Sequence, residues 1–203
     1  ATTGEIIAVS SLPSFEPSNY KNYSQEIINR NLAIWQNYEP GSTFKIVTAL
    51  EYIHENPDTY TDYHFTCNGS ITIDGSRIQC YHGSNHGYVD FKKSFAKSCN
   101  SSFANMSTKI DWNKFEKTLD KLSFGKTLPF AMETAVSNAN ASENMLIDEK
   151  MQTVIGQGET LITPLHLNMI TSAIANKGKL VEPYLLKSVK NKYGAVIKEF
   201  SSS

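Results

Sequence analysis

Two short constellations in this sequence hold residue types that can do chemistry. The first is Ser42-Thr43-Phe44-Lys45, set behind Pro40-Gly41 and followed by Ile46, Val47, Ala49, Leu50 and Ile53. The proline-glycine pair ends whatever precedes it, and the apolar run predicts a helix buried on most sides. Ser42 then lies in the first turn, and Lys45, three residues on, shares its face. An alcohol is a poor nucleophile at neutral pH, but an uncharged amine within hydrogen-bond reach can take its proton. Burial and the positive helix N-terminus both disfavour the ammonium form. Backbone N–H groups left free at the same helix end can also bind a developing oxyanion. Elsewhere the same spacing is merely an N-cap serine and a solvated lysine; here Lys45 falls inside an apolar run.

The second constellation is Ser98-Cys99-Asn100. In an extended or turn backbone the hydroxyl and the amide point to one side and Cys99 to the other. Facing a cleft, the serine can relay a proton to a leaving amine, and the amide can hold a substrate carbonyl or the lysine. The plainer alternative for such a triplet is a helix cap.

Elements on either side must position these groups. Gly4-Glu5-Ile6-Ile7-Ala8-Val9-Ser10 is β-branched enough to predict a buried strand. Residues 24–36 read as a short helix with an irregular approach, carrying Ile27, Ile28, Leu32 and Trp35. Asp74-Gly75 predicts a hairpin within 65–80. Asp90 is positioned to cap a short helix ending near Lys97, a second apolar helix carries Phe103, Met106 and Ile110, and 111–124 forms an amphipathic helix closed by Gly125. Residues 138–148 read as loop. Thr163-Pro164 starts a further helix that Gly178 ends, and 181–200 predicts two strands around Tyr193-Gly194. Strands at both ends with helices between make an α+β arrangement.

Composition narrows the function classes. The 203 residues are 40% hydrophobic and 19% charged, with a net charge of -1. That is enough chain for a real core, with no electrostatic reason to expect nucleic acid. No apolar run reaches membrane-spanning length. The start at Ala1, without signal peptide or initiator methionine, reads as a piece of a longer protein.

With these residues in view, the sequence resembles the transpeptidase domain of class B penicillin-binding proteins, members of the penicillin-recognising serine D,D-transpeptidase superfamily. The resemblance runs in order through Thr3-Gly4-Glu5-Ile6-Ile7-Ala8, Asn29-Arg30, Pro40-Gly41-Ser42-Thr43-Phe44-Lys45, His86-Gly87, Ser98-Cys99-Asn100, Gly156-Gln157-Gly158 and Thr163-Pro164-Leu165. It implies one α+β domain over 1–203, a sheet flanked by helices with a helical subdomain. It also implies acyl transfer on peptidoglycan stem peptides ending D-Ala-D-Ala. Ser42 is then the nucleophile, Lys45 its base, Ser98 a proton relay and Asn100 a positioning group, with β-lactam antibiotics acylating the same serine. The family's third motif, Lys-Thr/Ser-Gly, is not found: Lys126-Thr127-Leu128 and Lys177-Gly178-Lys179 do not fit. The domain is therefore expected to be incomplete in this chain. The parent protein is expected to be membrane-anchored, working outside the cytoplasmic membrane with the wall-synthesis machinery. Competing readings are a serine β-lactamase, a β-lactam sensor or a scaffold without catalysis. The first needs a glutamate in a deacylation loop, which is not evident, and the second usually has an apolar residue where Asn100 stands.

Cys67, Cys80, His86 and Cys99 form the remaining cluster. Three thiolates and an imidazole suit a tetrahedral structural zinc and use every cysteine, which a disulfide cannot. Some elongation-type class B members resemble this, His86 and Cys99 matching best. A zinc there braces the turn carrying Ser98 and Asn100. A Cys67–Cys80 disulfide with Cys99 as a buried thiol also fits an extracellular domain. His82 is a reserve ligand.

Overall fold

The structure is a computed structural model, and it describes residues 1–29 and 31–200. Arg30, part of the Asn29-Arg30 resemblance, lies outside the described residues, as do Ser201, Ser202 and Ser203. In chain order the helices and strands are α1 (Gln25–Ile28), α2 (Leu32–Trp35), α3 (Lys45–Glu55), β1 (His64–Cys67), β2 (Ser70–Ile73), β3 (Ser76–Gln79) and β4 (Gly87–Asp90). There follow α4 (Phe91–Ala96), α5 (Asn100–Met106), α6 (Trp112–Lys121), α7 (Ile147–Thr153), α8 (Pro164–Ala175), β5 (Ser188–Lys190) and β6 (Val196–Glu199). Among the described residues the strands pair into three two-stranded antiparallel sheets, β1 with β4, β2 with β3 and β5 with β6.

The chain divides into two compact units, each described here by itself. One comprises Ala1–Tyr38, Lys126–Ser137 and Ile162–Ser203. Its core is Ile34, Leu128, Leu165 and Met169, with Ile6, Ala33, Phe130 and Leu180 packed against it. Thr163 caps α8 by accepting from the His166 N–H, with Pro164 at the first position, as the sequence predicts. The expectation of a buried strand over 4–10 is corrected. Only Glu5 pairs, in a single parallel bridge to Tyr184, and Ile7 is 86% exposed. A strand needs a ladder of backbone hydrogen bonds to a neighbour, and among the described residues this one consists of two, from the Ile6 N–H to the Tyr184 carbonyl and from the Tyr184 N–H to the Gly4 carbonyl.

The other unit comprises Glu39–Gly125 and Asn138–Leu161. Phe44, Val47, Phe103, Met106, Phe115, Met151 and Val154 are all fully buried in it, and Phe44 meets Phe124 edge-on at 5.8 Å. Asp74 and Gly75 both take positive φ, 47° and 85°, the twist that a two-residue hairpin between β2 and β3 requires. Asp90 caps α4 through the Lys93 N–H at 2.6 Å. Helix α7 lies partly in what reads as loop; Glu149 accepts from the Leu146 N–H at 2.8 Å to start it, a glutamate cap without the serine that usually announces one.

Candidate active site

The serine turn is built by backbone before any side chain acts. Gly41–Phe44 forms a tight 3-10 turn that runs directly into α3. Gly41 adopts φ 52° and donates its N–H to the Gly156 carbonyl at 2.8 Å. Gly156 itself stands at φ 71°, and a Cβ there would collide with the Gly41 carbonyl and with Phe44. That close approach explains Gly156, which lets a second segment press onto the turn that presents Ser42, while Gly158 at φ 68° is crowded by the Gln152 side chain.

Ser42 is exposed, whereas Lys45 is 1% exposed. The lysine Nζ lies 3.1 Å from Ser42 Oγ, 2.9 Å from Ser98 Oγ, 2.9 Å from the Ser98 carbonyl and 2.6 Å from Asn100 Oδ1. It also sits 5.4 Å from the centre of the Phe103 ring. Burial pulls the amine down from 10.5 to about 8, against the opposing pull of Cys99 and Cys80. The structure thus brings Ser42, Ser98 and Asn100 around the Lys45 nitrogen, with the Ser42 side exposed and the amine withdrawn from solvent.

Ser98 holds a strained position. The Cys99 N–H donates to the Ser94 carbonyl and the Ser98 N–H to the Phe95 carbonyl, both at 3.0 Å, which closes α4 in a Schellman motif. Its left-handed residue, usually glycine, is Ser98 at φ 50°. A side chain there costs about 1 kcal/mol. Ser98→Gly is accordingly expected to leave the melting temperature unchanged or raise it by about 3 °C, while slowing acylation of Ser42 by β-lactams at least about 100-fold. Calorimetry alongside stopped-flow acylation separates the two effects; a slowed reaction matched by a lower melting temperature would count against a chemical role for the hydroxyl.

Several supports were invisible to motif reasoning. The Gln79 carbonyl at the end of β3 accepts from Asn100 Nδ2 at 3.0 Å, which turns Oδ1 toward Lys45. Behind the turn runs a buried chain of hydroxyls: Tyr63 to Ser102 at 3.0 Å, Ser102 to Ser94 at 2.7 Å, and Ser94 to the Asp90 carbonyl at 2.7 Å. It ties α4 to α5 beneath Ser98. Serines in apolar runs are the only sequence signal for such a chain, and it does not say which serine meets which.

Cys67, Cys80, His86 and Cys99 also come together, and all three cysteines are free thiols. The β1–β4 register sets Cys67 opposite Gly87 and so brings His86 beside it, while the Cys80 N–H donates to the Gly69 carbonyl at 2.9 Å. Cys67 Sγ lies 3.7 Å from Cys80 Sγ and 3.5 Å from His86 Nδ1, Cys80 Sγ is 3.8 Å from Cys99 Sγ, and all four donor atoms lie within 4.8 Å of one another. Zinc–sulfur bonds of about 2.3 Å at tetrahedral angles place two sulfurs about 3.8 Å apart, so the donor set fits the metal in kind and in spacing. The 3.7 Å gap between Cys67 and Cys80 is no disulfide. Burial opposes ionisation of Cys67, but N–H donors of His86 and Gly69 outweigh it and bring the thiol to about 6, whereas burial pushes Cys99 up. The Ser101 hydroxyl stands 3.2 Å from Cys80 Sγ as an outer partner. His82, the reserve ligand, lies outside the cluster, its ring edge-on to Tyr81 at 4.0 Å. Lys177-Gly178-Lys179 forms the turn after α8, with Lys177 at φ 57°, and not a strand.

This arrangement has relatives. A family model described as the penicillin binding protein transpeptidase domain matches residues 1–201, and the chain belongs to that family. Stage V sporulation protein D of Bacillus subtilis (strain 168) is 30% identical over 191 residues, covering 91% of this chain and 28% of that protein. Peptidoglycan D,D-transpeptidase MrdA of Acinetobacter baumannii is 28% identical over 209 residues, covering 92% of this chain and 31% of that protein. The solved structure of penicillin-binding protein A from M. tuberculosis, an imipenem acyl-enzyme complex, is similar with a TM-score of 0.86 at 26% identity, over 100% of this chain and 50% of that chain. The fold is the α+β fold of penicillin-binding protein transpeptidase domains. The chain spans under a third of these two curated relatives and half of the solved chain.

Proposed function

We propose that this chain contributes the serine half of a peptidoglycan D,D-transpeptidase, in which Ser42 forms an acyl-enzyme with stem peptides ending D-Ala-D-Ala and with β-lactams. The observation that carries the reading is the single buried Lys45 nitrogen within 3.1 Å of Ser42 Oγ, Ser98 Oγ and Asn100 Oδ1.

The steps follow from that geometry. Uncharged Lys45 takes the proton of Ser42 Oγ as the oxygen attacks the penultimate D-Ala carbonyl, giving a tetrahedral intermediate and an ammonium. The ammonium passes a proton through Ser98 Oγ to the departing amine, so the peptide C–N bond breaks with a neutral leaving group and Lys45 is restored. In the second half the amine of another stem peptide attacks the ester carbonyl, its proton returning along the same route, and Ser42 Oγ leaves with a proton as the cross-link forms. Asn100, oriented by the Gln79 carbonyl, keeps Lys45 aimed at both hydroxyls. Such chemistry belongs to the wall side of the membrane, where its substrate is. Among the described residues no helix is long and apolar enough to cross a membrane.

Cys67, Cys80, His86 and Cys99 would hold a structural zinc. When bound it supplies a fixed four-way junction and no reacting group. Through Cys99 it fastens the residue between Ser98 and Asn100, and through Cys80 the residue after Gln79.

The test is incubation with a fluorescent penicillin, followed by gel and intact-mass analysis. A stable adduct on the wild-type chain, absent from Ser42→Ala with its circular dichroism unchanged, is the expected result. Residual adduct on the alanine variant would overturn the assignment of the nucleophile, and rapid appearance of hydrolysed penicillin would favour a β-lactamase.

A further inference from the structure

The helix that delivers Ser98 also walls a surface pocket of about 420 Å³, lined by Tyr60, Thr61, Asp90, Phe91, Lys92 and Phe95. None of these side chains has a part in acyl transfer. The aromatic lining is held in place from behind: Phe91 is buried, stacks on Tyr52 at 5.6 Å and meets Tyr60 edge-on at 5.4 Å. Phe95 is 44% exposed, with its ring 6.4 Å from that of Phe103. A single exposed apolar side chain is ordinary, but rings around one hollow give a partner's apolar side chain a place to leave water.

Around this hollow α4 is basic. Lys92 lines the pocket, and Lys93 and Lys97, four positions apart, form the neighbouring stripe. All three are exposed, and among the described residues no carboxylate pairs with their amines. Asp90, the carboxylate in the lining, is committed to the Lys93 N–H at 2.6 Å. Three unpaired cations on so short a helix leave a positive face that calls for an anionic complement.

We propose that this pocket and the lysine face of α4 form a docking site for an acidic peptide segment of a partner protein. One aromatic or large aliphatic side chain of that segment fills the space among Tyr60, Phe91 and Phe95, and its carboxylates face Lys92, Lys93 and Lys97. The rings ask for an apolar group and the lysines for charge within a residue or two of it. A peptide carries both at that spacing, whereas a phosphate polymer has no apolar group to insert, and a bilayer surface meets a flat face better than a hollow. The place matters because the Phe95 carbonyl accepts the Ser98 N–H, and Phe103 neighbours both Phe95 and the Lys45 amine. A segment bound there packs against the helix that closes at Ser98.

The probe is a fluorescein-labelled peptide of aspartates and glutamates around one central phenylalanine, and binding to the full chain is read by fluorescence anisotropy. Saturable binding is expected. Lys92→Glu combined with Lys97→Glu should weaken it about tenfold or more, whereas Lys117→Glu with Lys121→Glu, the same change of charge on α6, should leave it unchanged. Alanine in place of the probe's phenylalanine should also cost about tenfold, as should Thr61→Trp, which fills the pocket from an exposed position. All of these positions are on the surface, and circular dichroism checks that each variant is folded. The proposal is overturned if the peptide does not saturate, if the α6 pair weakens binding as much as the α4 pair, or if the phenylalanine makes no difference. Phosphatidylglycerol vesicles that bind the wild type through Lys92 and Lys97, with no binding of the peptide, would make the face a membrane contact instead. Because binding is read without penicillin or stem peptide, failure here is distinguishable from failure of the transpeptidase reading.

Discussion

Replacing Lys45 with methionine is expected to slow acylation of Ser42 by penicillin about 1,000- to 10,000-fold, the range over which a positioned general base acts. Methionine keeps most of the aliphatic volume that the lysine stem fills, so packing against Phe103 survives. What disappears is the one nitrogen common to Ser42, Ser98 and Asn100. Because these groups act through that nitrogen, Lys45→Met combined with Ser98→Ala is expected to be scarcely slower than Lys45→Met alone. The wild-type rate carries a second signature. With Lys45 lowered to about 8 by burial, roughly a tenth of the chains hold the uncharged amine at pH 7. Acylation should therefore rise about tenfold from pH 7 to pH 9 and then level, while the methionine variant stays flat over that window. A wild-type profile without that rise, measured by stopped-flow mixing with a chromogenic β-lactam, would rule Lys45 out as the base.

Cys99→Ser is expected to have the next largest effect. Serine is a better helix cap than cysteine, so at the start of α5, where Cys99 Sγ accepts from the Ser102 N–H at 3.4 Å, the change should be neutral or favourable in a chain without metal. If zinc joins Cys67, Cys80, His86 and Cys99, the same substitution removes one of four ligands and frees a junction between three chain segments. A loss of about 3 kcal/mol or more then follows, some 10 °C in melting temperature for a chain of this size, with acylation slowed about 10- to 100-fold as Asn100 loses its orientation. Elemental analysis of wild type and variant should show about one zinc per chain falling toward zero, and a chelator should reproduce the melting shift in wild type alone. Unchanged melting with unchanged metal content would dismiss the zinc centre.

What the sequence by itself determined is what short-range geometry enforces. Ser42 and Lys45 share a face because a helix repeats every 3.6 residues. Asp90 and Thr163 cap because an oxygen at that position reaches the first free N–H groups. Asp74-Gly75 turns because both residues accept positive φ. That Ser42, Lys45, Ser98 and Asn100 belong to one cluster was expected from those spacings and from the family they resemble, and the Lys45 nitrogen lies within 3.1 Å of the other three. Tertiary structure alone decided the rest. Asn100 owes its orientation to a carbonyl 21 positions earlier, and the thiols of Cys67, Cys80 and Cys99 approach to 3.7 and 3.8 Å through pairings 13 and 19 residues apart. Residues 4–10 have strand composition, yet among the described residues their strand pairing is limited to one bridge, Glu5 to Tyr184. A side chain's own preferences act over one turn of helix or one hairpin; whether a carboxylate such as Glu51 is buried, or a serine is held in a glycine's conformation, depends on which distant segment closes over it.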